Sequence, residues 1–549
     1  MPWHSRRQPI FCLCLLLGQL LSCPVDAVGF LRTLGQNIVD ENGATIMIRS
    51  VGLGNWLLPE GYMWKLGKRG DRPRGIEALV DELIGPRNAA QFWSEYRRNY
   101  IKEADIERIA QIGFNTVRPA LNARLFLTEG DNPTYVEENF ILLDQLIGWC
   151  KMHGVYVIID MHGAPGGQTG TNIDDSANDL PELFTDPKYQ ERLVDLWTTI
   201  ARRYKDEPTV AAYDLLNEPL PENTGAAAKY KHLLEPLYKR ITAAIREVDQ
   251  RHMITLEGVN WANDWSVFST PFDDNAFYQF HYYCWNHPVT LKDVSKYLDY
   301  RKRLNTPIWV GETGERNNTL YWATTQYFEA NNIGWSFWPW KKMETENTPY
   351  SIAAPKEWDA IRAYSEGGPK PSREVAQRAF DHLLHNIRLE NCVCFPDVIN
   401  AIFMRVPGTI EAENFGPEGL NKSYDVQEPA QKSQYYRLAE MVPITMIAEN
   451  LEIGHGHAEY AIELKAEEWA EYQVNSQELR DYVAKLRVRA NPSPAIILVT
   501  CGGFSHELIV NSCDWMELKV PAMPLSMGTN RLRLLVKSGA IAVDWLKLE

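Results

Sequence analysis

Between Thr45 and about Trp340 the chain repeats one pattern: a short β-branched run, a polar loop, then a longer stretch with apolar residues three and four apart. Residues branched at Cβ suit the pleated strand, and a 3.6-residue apolar period marks one buried face of a helix. That alternation predicts parallel strands joined by helices. The candidate strands are Ile46 to Leu53, Phe114 to Arg118, Val155 to Met161, Val210 to Asn217, His252 to Glu257, Phe277 to Tyr283, Pro307 to Glu312 and Ile333 to Trp338. Helical patterns lie between them at Glu103 to Ile112, Ile141 to His153, Tyr189 to Tyr204, Tyr230 to Val248 and Leu320 to Ala330. This count predicts an α/β chain whose first domain is a (β/α)8 TIM barrel with long loops, with a doubly wound sheet as the alternative.

After Trp340 the pattern fades. Gly367-Gly368-Pro369-Lys370-Pro371 marks a break before a last helix from Ser372 to Ile387, and Glu390 to Pro407 is the expected boundary. Closely spaced strands follow at Ala470 to Val474, Val483 to Ala490, Ile496 to Cys501, His506 to Val510, Trp515 to Val520, Arg531 to Val536 and Ala540 to Leu548. They predict a jelly-roll-like β-sandwich over 405–549, behind a barrel over 28–400. A chain of 549 residues, 45% hydrophobic and 23% charged, has the material for two such cores, and those values exclude a disordered or polytopic membrane chain. With 56 basic against 71 acidic residues the net charge is -15, which repels phosphate backbones, so no nucleic-acid partner is expected. The 18 Trp and 25 Tyr suit large cores or faces that stack on sugars.

At the N-terminus Arg6 and Arg7 precede an apolar run from Ile10 to Leu21, too short to span a bilayer as a mature helix. It reads as a secretory signal over 1–27 with a small-residue cleavage site at Val25-Asp26-Ala27. Leu20-Leu21-Ser22-Cys23 also fits a lipobox, which would anchor the chain through a lipid on Cys23. No later stretch is expected to span a membrane, so the chain is expected to be secreted, extracellular or periplasmic. Cys501 and Cys513 flank an expected hairpin and are candidates to pair in such a compartment, while Cys392 and Cys394 are too close for an unstrained mutual bridge. Asn317 and Asn421 stand in glycosylation acceptor patterns that matter only in a eukaryotic source.

In a barrel the side chains that close each strand converge on one mouth. Those positions are Arg118, His162, Asn217-Glu218, His281 with Tyr283, Glu312 and Trp338. Glu218 on the fourth strand and Glu312 on the seventh face one another across that mouth. Two carboxyls flanking a cleft are what glycosidic hydrolysis requires, one to protonate the departing oxygen and one to attack or stabilise an oxocarbenium-like centre.

Asp214-Leu215-Leu216-Asn217-Glu218-Pro219, His281-Tyr282-Tyr283, Val310-Gly311-Glu312 and Trp335-Ser336-Phe337-Trp338 resemble, in order, the motifs of glycoside hydrolase family 5. Gly54-Asn55-Trp56-Leu57 and Asp160 to Gln168 resemble its exo-β-1,3-glucanase branch, and the likeness covers about residues 30 to 365. The resemblance implies that Glu218 is the acid/base and Glu312 the nucleophile. It implies that Asn217 holds the sugar 2-hydroxyl and that Tyr283 hydrogen-bonds the nucleophile. Arg118 would keep Glu312 ionised, His162 and His281 would line the sugar subsite, and Trp338 would be its stacking floor. Trp56, Trp285 and Trp340 are secondary aromatic candidates. The loops Pro59 to Gly75 and Gln168 to Asp179 are expected to narrow one end of the groove and favour chain-end attack. Neither Asp174-Asp175 nor His455-Gly456-His457 has metal-ligand spacing, and catalysis is expected to need no cofactor.

Ile410-Glu411-Ala412-Glu413-Asn414-Phe415, Trp469 to Asn475 and Val543-Asp544-Trp545 resemble a family 6 carbohydrate-binding module. That resemblance implies a structural calcium ion on Glu411, Glu413 and Asp544. Trp515 is the candidate for one wall of a sugar cleft, although the stretch before Trp469 lacks the usual Gly-Asp turn and the aromatic of the other wall. The resulting expectation is a secreted, monomeric, retaining β-glycosidase acting on a β-linked glucan or oligosaccharide. Alternatives are the same chemistry on mannan, xylan or a glycolipid, or a silent carbohydrate-binding protein.

Overall fold

The computed structural model describes residues 29–283, 291–428, 437, 440–448, 459–492 and 494–549. The expected signal segment with Cys23, Trp285, and His455-Gly456-His457 lie outside the described residues.

All eight expected runs form strands: β1 (Arg49–Leu53), β2 (Thr116–Asn122), β3 (Tyr156–Gly163), β4 (Val210–Asp214), β5 (Met253–Glu257), β6 (Ala276–His281), β7 (Ile308–Gly314) and β8 (Gly334–Trp338). They close into a barrel in chain order, with β8 parallel to both β7 and β1. Closure excludes the doubly wound sheet, which would leave two edges. Two boundaries differ from the sequence reading in ways that matter. β2 runs on to Asn122, so Arg118 lies within the strand and its guanidinium rises from inside the barrel. β4 ends at Asp214, where its ladder with β5 stops, and Asn217-Glu218 sits in the turn beyond, with Glu218 at φ 45°.

The N-terminal hairpin Arg32–Leu34 and Asn37–Val39 was not anticipated from sequence. Its Gly35 turns at φ 57°, a left-handed conformation glycine adopts without a Cβ clash. Leu31, Ile38 and Ile48 pack there on Met253, Phe277 and Trp309 at the starts of β5, β6 and β7. The hairpin therefore closes the barrel floor and leaves the C-terminal mouth open. Two helices also lie where no helix was expected, Pro73–Ile84 and Pro86–Tyr100, each with proline in its first turn.

The described residues from Arg405 onward form two six-stranded sheets with one apolar core between them. One contains Trp469–Ser476, Gly528–Ser538, Ala495–Cys501 and Phe504–Val510; the other contains Glu459–Lys465, Ala540–Leu548, Arg480–Ala490 and Met516–Leu525. Of the strands missed by the sequence reading, Gly408–Glu411 and Tyr424–Asp425 are short, and a period-two signal needs several alternations to stand out, whereas Glu459–Lys465 is seven residues long and was missed all the same. Cys501 and Cys513 are both free thiols, which corrects the expected pairing. Cys501 pairs with Phe504 at the hairpin turn, whereas Cys513 follows Val510, which pairs with Ala495 at the other end. A ladder of that length separates the two ends by roughly 20 Å, far beyond disulfide reach.

The sandwich docks on the helix Asn318–Ala330, which follows β7 directly. Trp322 of that helix is buried in the sandwich core beside Val406 and Ile410, and Thr319 Oγ1 donates to Glu411 Oε1 at 3.2 Å. Among the described residues no helix is long and apolar enough to cross a membrane.

Candidate active site

Arg118 is the hub of the barrel mouth and has no solvent exposure. Its Nε donates to Asp214 Oδ2 at 2.9 Å, its Nη1 to Glu312 Oε1 at 2.6 Å and its Nη2 to Asn217 Oδ1 at 2.8 Å. The same Nη2 lies 3.2 Å from Asp160 and 3.3 Å from Glu257. A buried guanidinium is tolerable only when such partners replace its lost hydration, and its planar fork suits several acceptors at once. One cation thus serves four carboxyl groups. Burial pushes the Glu312 carboxyl up from its usual range while His281 and Arg118 pull it down, and the net direction is upward. The Arg118 charge that was expected to keep Glu312 ionised does pull its pKa down, and it is shared with Asp160, Asp214 and Glu257.

The other Glu312 oxygen accepts from Tyr283 Oη at 2.8 Å. Glu312 therefore receives a donor on each oxygen, the surroundings of a carboxylate. Glu218 is different. His281 Nδ1 lies 2.7 Å from its Oε1, and its backbone N–H donates to Glu257 Oε2 at 2.5 Å. That backbone bond accounts for the left-handed turn: Glu257 holds the peptide of residue 218 so that its side chain rises into the mouth. Burial opposes a charge on His281, yet Glu257, Glu312 and Glu218 around it hold its pKa well above the ordinary imidazole value. Carboxylate oxygens of Glu218 and Glu312 come within 4.8 Å of one another, with a His281 nitrogen inside the same limit.

A second group frames the space beside this pair. His162 Nδ1 lies 2.8 Å from Asp160 Oδ2, and although burial disfavours its charge, that carboxylate pushes its pKa up to about 9. Its ring stacks on Trp338 with centroids 5.2 Å apart and planes 5° from parallel. Trp338 is only 3% exposed, so it presents less open face than a stacking floor was expected to offer. Gly52 and Gly54 let β1 approach it, since a Cβ on either would stand 2.3 or 2.6 Å from the indole. Trp338 Nε1 donates to Tyr62 Oη at 3.0 Å, and Gln168 Nε2 donates to the carbonyls of His162 at 2.7 Å and Asn217 at 2.9 Å. Glu60 is buried with one carboxyl oxygen lacking a hydrogen-bond partner, and burial pushes its pKa up to about 8. That burial favours the neutral acid, which can donate.

All of Arg118, His162, Asn217, Glu218, His281, Tyr283, Glu312 and Trp338 thus meet at one mouth. Sequence reasoning missed Asp160, Asp214, Glu257, Glu60, Tyr62 and Gln168. Glu257 closes β5, so the strand-end rule that found Glu312 also pointed to it. Glu60 and Tyr62 lie in a loop with no period to read. Trp56 and Trp340 are core side chains, donating to Arg97 O and to Asp105 respectively. The loop from Gln168 is internally bonded, with Asp174 accepting from Thr169, Gly170 and Ser176.

Glu218, His281 and Glu312 are, among the described residues, the cluster whose donor atoms are close enough for a metal. A dication there would face the Arg118 guanidinium, 2.6 Å from Glu312, which opposes it. On the sandwich, Glu411, Glu413 and Asp544 line one pocket of about 300 Å³ together with Glu459 and Arg487, and Arg487 pairs with Asp544. Burial and Asp544 push Glu411 up to about 7, burial and Glu411 hold Glu413 well above its usual value, and one Glu413 oxygen has no partner. Trp515 carries the guanidinium groups of Arg487 and Arg489 within 5.2 and 4.9 Å of its ring centroid.

Residues 81–344 match the family model described as cellulase (glycosyl hydrolase family 5). The chain is 25% identical over 415 residues to a beta-xylosidase of Phanerodontia chrysosporium, covering 67% of this chain and 85% of that protein. It is 31% identical over 195 residues to endoglucanase C of Acetivibrio thermocellus, covering 35% of this chain and about half of the relative, 53%. It is 28% identical over 323 residues to a protein named "probable glucan 1,3-beta-glucosidase A" of Neosartorya fischeri, covering 56% and 73%.

Proposed function

We propose that this glycoside hydrolase, whose residues 81–344 match the model of glycosyl hydrolase family 5, cleaves β-linked glucans or oligosaccharides with retention, by double displacement. The observation that carries this reading is the approach of Glu218 and Glu312 oxygens within 4.8 Å, under unequal hydrogen bonding. Retaining enzymes hold their carboxyl groups roughly 5 to 5.5 Å apart, whereas inverting ones leave roughly 6.5 to 9.5 Å for a water.

Glu312, with donors on both oxygens, attacks the anomeric carbon as a carboxylate while the glycosidic C–O bond breaks. Glu218, bonded only through one oxygen to His281, turns the other to the leaving oxygen and delivers a proton. The glycosyl ester on Glu312 is then hydrolysed by a water that Glu218 deprotonates. Asn217, oriented by Arg118, is placed to hold the 2-hydroxyl, a contact that strengthens as the ring becomes cationic. His162, Trp338 and Glu60 surround the sugar being released. No step uses a cofactor. Proton NMR of the first products from β-1,3-, β-1,4- and β-1,6-linked substrates is expected to show the β-anomer; early α-anomer would refute retention.

The match to 85% of a beta-xylosidase favours a second reading with the same chemistry, in which the sugar is a β-xyloside. A silent binding protein is the weaker reading, since binding has no use for paired acids beside Tyr283 and Asn217. Arg6, Arg7 and the apolar run after them support export, by signal cleavage or through a lipid on Cys23. A monomer is the proposed state.

For the sandwich we propose a bracing role for the barrel, with carbohydrate binding as a second role in which Trp515 contributes one wall. The cluster of Glu411, Glu413 and Asp544 suits a calcium ion: its donors are hard oxygens, and the orphaned Glu413 oxygen is in want of a cation. Adding calcium to chelator-treated protein is expected to raise Tm by several degrees, since a ligand bound only by the folded state stabilises it. An unchanged Tm would remove the ion from these residues.

A further inference from the structure

Glu257 closes β5 with no solvent exposure and reaches the machinery of the mouth at three points. Its Oε2 accepts the backbone N–H of Glu218 at 2.5 Å, and its Oε1 lies 3.3 Å from both Arg118 Nη2 and His281 Nε2. Its own backbone is fixed, opposite Gln279 in the ladder with β6 and with its carbonyl accepting from Tyr238 Oη at 3.0 Å. The turn that carries Glu218 is held differently at each residue. Asn217 donates its N–H to the Met161 carbonyl at 3.1 Å, and its own carbonyl accepts from Gln168 Nε2 at 2.9 Å. Residue 218, at φ 45°, lies in the left-handed region, which a residue with a Cβ rarely holds unless its surroundings fix it. Among the described residues, the acceptor its N–H finds is the Glu257 carboxyl. The nucleophile is oriented by other groups: Arg118 Nη1 and Tyr283 Oη hold the two Glu312 oxygens.

We propose that Glu257 is a positioning residue for proton transfer: it aims the Glu218 side chain through the peptide of residue 218 and through His281, and so serves the acid/base half of the reaction and not the nucleophilic half. The inference rests on the glycosidase reading above and adds the group that decides where the proton is delivered. His281 joins the two contacts, with Nε2 beside Glu257 and Nδ1 2.7 Å from Glu218 Oε1. The other Glu218 oxygen is therefore aimed from both ends, by the backbone that carries it and by the partner of its neighbour. Loss of the Glu257 carboxyl leaves Arg118 with Asp214, Asn217 and Glu312, so the nucleophile keeps both donors. A glutamine does not replace that carboxyl. Its single acceptor faces either the peptide N–H or the Arg118 guanidinium, and its NH₂ then meets a donor at the other place.

The test measures kcat/KM of wild type, Glu257→Gln and Glu218→Gln on aryl β-glycosides of the sugar that wild type hydrolyses, with 2,4-dinitrophenol, 4-nitrophenol and phenol as leaving groups. A phenol that leaves poorly needs its oxygen protonated, whereas dinitrophenolate does not. Glu257→Gln is expected to lose kcat/KM increasingly along that series, from about threefold with dinitrophenol to about 10²-fold with phenol, the scale of general acid catalysis. On the dinitrophenyl substrate it is expected to show a burst, and added azide is expected to raise the steady rate. Azide attacks C1 of the glycosyl ester, the C1–O bond to Glu312 breaks, and a β-glycosyl azide departs without the help of a base. A residue that only supports the fold would lower all three substrates by one factor and leave azide nothing to rescue. Should Glu257→Gln fail to fold, Glu257→Asp withdraws the carboxyl from the peptide by one methylene and is expected to give the same pattern. Unchanged kinetics, equal losses along the series, or no response to azide in a folded variant would overturn the positioning role. A Glu218→Gln that itself shows no dependence on the leaving group would instead overturn the acid/base assignment, and a wild type that hydrolyses no β-glycoside would overturn the glycosidase reading.

Discussion

Glu312→Gln is expected to lose about 10⁴-fold or more in turnover on every substrate, since removing a covalent nucleophile leaves little beyond binding and polarisation. The structure sharpens that expectation. Arg118 Nη1 and Tyr283 Oη both donate to Glu312, so an amide must turn its NH₂ toward one of two donors. Glu218→Gln is expected to behave differently. An aryl glycoside with an acidic leaving group needs no proton, so its first step survives as a fast burst, followed by slow deglycosylation because no base activates the water. On natural glucans the same variant loses activity in the first step. Stopped-flow release of nitrophenol from both variants checks the assignment: equal loss on activated and natural substrates in both would remove these roles.

Ending the chain at Met404 is expected to cost the barrel its stability, and soluble-substrate activity with it. Truncation strips Trp322 of its cover, and leaving one buried aromatic of this size in water costs about 3 kcal/mol. The exposed side chain sits on the helix that follows β7, the strand carrying Glu312. Against a typical net stability of about 5–15 kcal/mol that loss is large, and it is felt where the nucleophile is held. Thermal unfolding and aryl-glycoside turnover of the truncated and full chains measure it. A truncated barrel with unchanged Tm and activity would show that the sandwich braces nothing.

The barrel was legible in the sequence because its signals are local. A strand buried on both faces writes itself as a β-branched run, and the helix after it writes its own period, so each unit can be read without knowing where the others lie. The two acids were legible because Glu312 lies near the C-terminal end of β7 and Glu218 in the turn just beyond β4, and those ends meet at one mouth once the barrel closes. The bounds of β2 and β4 were not, because where pairing stops depends on how two strands lie together: the β4–β5 ladder stops at Asp214 opposite Thr255 although β5 runs on to Glu257.

Residues 218 and 312 were thus chosen by the sequence itself, while their unequal surroundings were decided by tertiary structure. No local pattern links Glu257 to the peptide of residue 218, Arg118 to four carboxyl groups, Asp175 to Arg74 and Arg124, or Trp322 to a core in another domain. Each is a contact between distant segments that exists only after the backbone has folded. Its energy depends on burial, which raises the strength of a made polar contact and the cost of an unmade one. Burial belongs to the packed molecule and not to any stretch of its chain.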